Sequence, residues 1–205
     1  MKIDRYHVFG LVVTFILVAS LVPRKAHAHL VQTGFGTFCD GIVHLFITPS
    51  DILIVLGIGL LAGLCGTAAS RTVVFALPAT WLTGGLIGSF FPTVGTLPWL
   101  TTISLGLVGI LVATAPKMPR LLIADLACTA GLVHGLVNGA TMAAEGSDRL
   151  SLLGAALAVF AVITLVAALV VSLRTYWTRI AVRVAGSWIA AIGLLMLGWL
   201  VRGLG

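Results

Sequence analysis

The stretch GFGTFCDGIVHLFITPSDILIVLGIGLLAGLCG, Gly34 to Gly66, is almost wholly apolar yet carries Cys39, Asp40, His44 and Asp51. A thiol, an imidazole and carboxylates form a donor set suited to a divalent transition metal. A second stretch, LLIADLACTAGLVHGLVNGATMAAEG from Leu121 to Gly146, places Asp125, Cys128, His134 and Asn138 in another apolar run. His134 and Asn138 are four apart, so on a helix they share one face. An acid at the centre of a membrane helix costs on the order of 2.5–3.5 kcal/mol on insertion scales, which makes every such group a functional candidate. The structural alternative stands beside it: a lone His or Asn in a bundle often only hydrogen-bonds a neighbouring helix, contributing under about 2 kcal/mol. By the same reasoning Asp125 could pair with Arg120 or a Lys nearby, Asp51 could simply be a favourable negative charge at a helix start, and Cys65 and Cys128 read as packing residues.

The elements that hold these groups follow from composition. The chain has 205 residues, 60% hydrophobic and only 9% charged, far below the charged share a water-facing surface needs. It is therefore an integral membrane protein. A formal charge of +6 does not point to nucleic acid, because the Lys and Arg residues fall in short connections between apolar runs, where they set orientation. Three scattered cysteines make no disulfide framework.

Residues 1–28 read as a secretory signal peptide: Lys2 and Arg5, an apolar core from Val8 to Val22, then Ala26-His27-Ala28 as a cleavage site. The alternative is an uncleaved anchor helix. Cleavage after Ala28 would leave His29 at the mature amino terminus, where its amine and ring could both reach one metal ion. Residues 29–205 then form a single transmembrane helical-bundle domain.

Apolar runs follow at about 33–47, 51–66, 71–91, 97–115, 121–143, 150–173 and 180–201, against a requirement of roughly 20 residues per crossing. The first is short, broken by Gly34, Gly36, Gly41 and the Thr48-Pro49-Ser50 turn, and contains Asp40. Seven crossings would put Arg71, Lys117, Arg120, Arg174, Arg179 and Arg183 outside, inverting the rule that cytoplasmic loops collect cations. Six crossings restore it. The expected fold is thus an all-α polytopic membrane protein with six transmembrane helices and a short re-entrant or interfacial N-terminal helix. Thr48 or Ser50 can cap the second run, and Pro49 stops the helix from extending backwards. In this topology Cys39, Asp40, His44 and Asp51 lie near the outer face, as do His134 and Asn138. Two polar clusters distant in sequence are expected to converge. Gly131, Gly135 and Gly139 form a small-residue ridge, and Gly59 with Gly63, Gly84 with Gly88, and Gly106 with Gly109 form shorter ones, all suited to close helix contact.

These residues resemble the HupE/UreJ family of hydrogenase and urease accessory membrane proteins: GF at Gly34, GIVHLFITPSDILIVLGIGLLA, SLGLVGILVA from Ser104, VHGLVNG from Val133 and RVAGSWIAAIGLLML from Arg183. The resemblance implies a bacterial inner-membrane protein with a periplasmic mature amino terminus that passes nickel or cobalt towards metalloenzyme assembly. The family's two histidine pairs fall here on His44 with Asp51 and on His134 with Asn138, so one imidazole of each pair is present. The residual metal set is His44, Asp51, His134, Asn138, His29 and Cys39, for nickel, cobalt, copper or zinc. Two functions are compatible with this reading. One is metal transport or handling, with membrane lipids and a metalloenzyme or its maturation machinery as partners; the other is a non-transporting accessory subunit of a larger membrane complex. No nucleophile and base pair, phosphate loop or haem signature supports an enzyme.

Overall fold

A computed structural model describes residues 33–94 and 97–203. The signal-peptide reading and His29 lie outside the described residues. Seven α-helices appear among them: α1 (Thr37–Ile47), α2 (Pro49–Cys65), α3 (Thr67–Ser89), α4 (Pro98–Thr114), α5 (Arg120–Ala144), α6 (Arg149–Ser172) and α7 (Tyr176–Arg202), with one 3-10 turn at Pro92–Val94. Helices α3, α5, α6 and α7 are long and apolar enough to cross a membrane alone. Helices α2 and α4 have 17 residues each, about 25 Å at 1.5 Å per residue.

The first apolar run does end where proline requires. Thr48 breaks the chain between α1 and α2, which meet at a bend of 76°. Pro49 occupies the first turn of α2, where its missing N–H costs nothing. The expected cap is backbone only: the Thr48 side chain makes no capping bond, while its carbonyl accepts from the amides of Asp51 and Ile52.

Contacts between helices fix their directions. Along α3 and α5 the touching pairs rise together, with Gly131 against Leu77 and Thr80, Gly135 against the Trp81 carbonyl, and Gly139 against the Gly85 carbonyl. Helices α3 and α5 are therefore parallel, and the ridge read from sequence is their seam. A Cβ at Gly135 or Gly139 would collide with backbone that has no room to move. Helices α4 and α7 run oppositely, since Gly186 meets Val112 while Gly193 meets Gly106. Helices α2 and α6 are parallel, with Gly59 on Ile163 and Gly63 on Val170. Directions thus alternate from α2 to α7.

Helix α2 lies at the centre and touches each of the other helices. Its Ile54, Val55, Ile58 and Leu61 are fully buried, because every face of it meets a neighbour. The outside is apolar instead: Phe75, Leu121, Leu165, Leu195 and Trp199 are all exposed, as expected of a surface that faces lipid rather than water.

One end of the bundle is basic. Arg71, Lys117, Arg120, Arg174, Arg179 and Arg183 all lie towards it. Two of them satisfy helix-end carbonyls: Arg179 donates to Leu64 at 3.1 Å and Arg183 to Ala113 at 2.8 Å, at the C-termini of α2 and α4. Arg120 donates to the Thr72 hydroxyl at 2.6 Å and does not pair with Asp125, correcting that expectation. Five residues apart, the two side chains point about 140° away from each other around the helix, and Asp125 is exposed.

Candidate functional site

At the opposite end the polar groups of the two distant stretches meet. His44 comes from the last turn of α1, Asp51 from the first turn of α2, His134 and Asn138 from the C-terminal half of α5. All four are more than nine-tenths buried, and His134 has no exposed surface. Asp51 is the hub. Its Oδ1 lies 2.8 Å from His134 Nδ1, and its Oδ2 accepts from Asn138 Nδ2 at 2.8 Å. Asn138 Nδ2 also donates to the His134 carbonyl at 2.9 Å, while Asn138 Oδ1 lies 2.7 Å from His44 Nε2. Burial explains why these bonds must form: in a low-dielectric interior, an unpaired polar group costs far more than its bond returns in water.

Two residues that the sequence reading passed over complete the surroundings. Ser104 of α4 places its hydroxyl 3.0 Å from His134 Nε2 and 2.8 Å from the carbonyl of Thr101. Trp81 of α3, itself buried, stacks on His134 with ring centroids 5.7 Å apart and planes at 26°. A single serine inside an apolar run and a tryptophan among several give no periodic signal, so only the packing of α3 and α4 against α5 reveals them. Two buried side-chain nitrogens in this region make no hydrogen bond: His44 Nδ1 and Trp81 Nε1.

Cys39 is partly exposed and lies outside this chain of bonds. Asp40, on the same helix, turns back to the preceding segment. Its Oδ1 accepts from the Thr33 amide and hydroxyl, both at 2.7 Å. The hydroxyl first, and then the amide, hold the Asp40 carboxyl below the usual carboxylate range. Asp40 anchors the start of α1; it is not joined to the buried cluster.

Asp51, His134 and Ser104 reproduce the connectivity of a carboxylate–imidazole–hydroxyl relay. The surroundings do not suit nucleophilic chemistry. His134 is sealed beneath Trp81, and the Ser104 hydroxyl also faces a carbonyl of its own helix. Nor are three His, Cys, Asp or Glu side chains, among the described residues, disposed to enclose one metal ion. Apart from His44 Nδ1, the ring nitrogens and carboxylate oxygens of the cluster are spent on hydrogen bonds.

A multi-helix membrane protein with a buried polar cluster between α1, α2 and α5 is the class that this fold and site define. The sequence profile of the HupE / UreJ protein family matches residues 16–196, and the chain belongs to that family. It is similar to Protein HupE of Rhizobium leguminosarum bv. viciae, 28% identical over 127 residues, which span 62% of this chain and 66% of the relative. The match thus covers just under two thirds of that protein's own length. No solved structure matches the chain.

Proposed function

We infer that this chain is a six-crossing inner-membrane protein that handles a divalent transition metal of the nickel or cobalt class, taken as cargo from the non-cytoplasmic side. Three features support the topology. Helix directions alternate from α2 to α7, six cations gather at one end, and the cation rule places that end in the cytoplasm. Helix α1, bent away at Thr48, is then the re-entrant or interfacial element, and the buried cluster faces the periplasmic half.

The observation that carries the metal reading is the buried cluster itself. Imidazole, carboxylate and amide are brought from three helices into one chain of bonds 2.7 to 2.8 Å long, at a depth where polar groups are retained mainly for function. A cation enters such a cluster by taking the place of a hydrogen bond. Cellular nickel or cobalt accumulation, compared between wild type, His44→Ala and His134→Ala, tests the reading. Accumulation should fall in both variants, and unchanged levels in both would reject it.

The mutual engagement of the donors favours a second reading: a bundle that acts as an accessory subunit of a larger membrane enzyme or its maturation machinery. Mild solubilisation distinguishes the two. A stable partner recovered in stoichiometric amount supports the subunit reading, whereas the chain recovered alone rejects it.

A further inference from the structure

The two imidazoles of the cluster have four ring nitrogens, and three of them are occupied. His134 Nδ1 faces Asp51 and His134 Nε2 faces Ser104. His44 Nε2 faces Asn138, and His44 Nδ1, buried, faces no partner. Which of these nitrogens carries a proton can be worked out from the amide between them.

The orientation of Asn138 is fixed by the His134 carbonyl 2.9 Å away. A carbonyl oxygen has no proton to give, so the group facing it must be the donating NH₂ of the amide. The same NH₂ faces Asp51 Oδ2, which is again an acceptor. Asn138 Oδ1 is thereby turned to His44, and His44 Nε2 must be the N–H that donates to it. A second N–H on the same ring, at Nδ1, would be a buried donor without an acceptor. The neutral ring leaves only a lone pair at Nδ1 and buries no charge, which costs less than an unpaired N–H on a cation.

We propose that Asn138 is a positioning residue that locks His44 in the Nε2–H tautomer, leaving His44 Nδ1 as the one open imidazole donor of the cluster. His134, closed at both nitrogens, holds the Asp51 carboxylate in place. The ligand class that fits an open imidazole nitrogen is a first-row divalent cation, and this part rests on the metal-handling reading. An imidazole at position 138 could not do the same work. A side-chain amide donates twice and accepts once, which serves Asp51, the His134 carbonyl and His44 together; a ring with two nitrogens serves at most two of them. Asparagine here supplies the outer support that a ligating histidine requires at its second nitrogen.

The test is ¹⁵N NMR of protein labelled at histidine, with His44→Gln assigning the ring. The expected wild-type spectrum shows His44 protonated at Nε2 and bare at Nδ1, and this needs no variant at position 138. In Asn138→Leu the preference is lost, while Ser104→Ala shifts only His134. A wild-type ring protonated at Nδ1, or an Asn138→Leu ring unchanged, overturns the lock. Cobalt(II) added alone should perturb His44 Nδ1 first, with affinity about 10–100-fold weaker in Asn138→Leu. Equal affinity in the two proteins overturns the role assigned to Asn138. A correct tautomer that cobalt(II) leaves untouched supports the lock and instead rejects the metal-handling reading.

Discussion

The imidazole of His134 and the carboxylate of Asp51, 83 residues apart in sequence, meet Nδ1 to Oδ1 at 2.8 Å. The contact ties the first turn of α2, the central helix, to α5. Because both groups are more than nine-tenths buried, loss of one leaves the other partner stranded. A double-mutant cycle on Asp51→Ala and His134→Ala, read by thermal unfolding in detergent, should give a coupling of about 0.5–3 kcal/mol. Each single variant should be destabilised. A coupling of zero would mean that the two side chains do not support each other.

The seam between α3 and α5 makes a sharper prediction, because the neighbours of its glycines are backbone atoms. Gly135→Ala and Gly139→Ala push a methyl group into the carbonyls of Trp81 and Gly85, and each should cost about 1–3 kcal/mol through forced separation of the helices. Gly198→Ala in α7, where an added Cβ meets nothing, should be neutral or slightly stabilising, since alanine favours helix over glycine by roughly 1 kcal/mol. Equal stability of all three variants would refute the close seam.

Topology can be read by chemical labelling. In a background with Cys39, Cys65 and Cys128 replaced by serine, Ser147→Cys should react with an impermeant maleimide from the periplasm. Thr175→Cys should react only after the membrane is opened. The reverse pattern would place the buried cluster on the cytoplasmic side.

Acid should loosen the start of α1. The Asp40 carboxyl titrates lower when folded than when free, owing to the Thr33 hydroxyl and amide. The anchoring is therefore complete above the ordinary carboxylate range and lost as pH falls through the lower folded value. Protection of the Thr33 amide against exchange, taken relative to its intrinsic rate at each pH, should fall at acid pH in wild type. In Asp40→Asn, which cannot ionise, that acid dependence should vanish.

Much of the architecture was legible because membrane burial prices residues steeply. The apolar runs mark the helices, the Thr48-Pro49 step marks the bend, and the spacing of Gly131, Gly135 and Gly139 marks a seam whose partner, α3, is not written in the sequence. His44, Asp51, His134 and Asn138 stand out for the same reason, and the cation pattern places them at one end. Hydrogen-bond roles were not legible. Whether Asn138 is a weak ligand or a support depends on which atoms face it, and Ser104 and Trp81 matter only through inter-helix contact. Asp40 looks like a member of the cluster by proximity in sequence, yet its partner is Thr33. Helical rotation decides such cases, and a single sequence does not display it. The pairing expected between Arg120 and Asp125 failed on that rotation.

The break at Thr48 sets His44 and Asp51 on opposite arms of an elbow with one residue at its joint. Asp51 is fastened to α5 through His134 and Asn138, whereas His44 is fastened through Asn138 and through α1, which packs Gly41 on Ser151 and Phe38 on Gly154 of α6 and buries Leu45 in the core. Turning the two torsions of Thr48 would move the imidazole away from the carboxylate only against that packing. Opening the cluster along this elbow would break the His44–Asn138 hydrogen bond and lift Gly41, Phe38 and Leu45 from their packing.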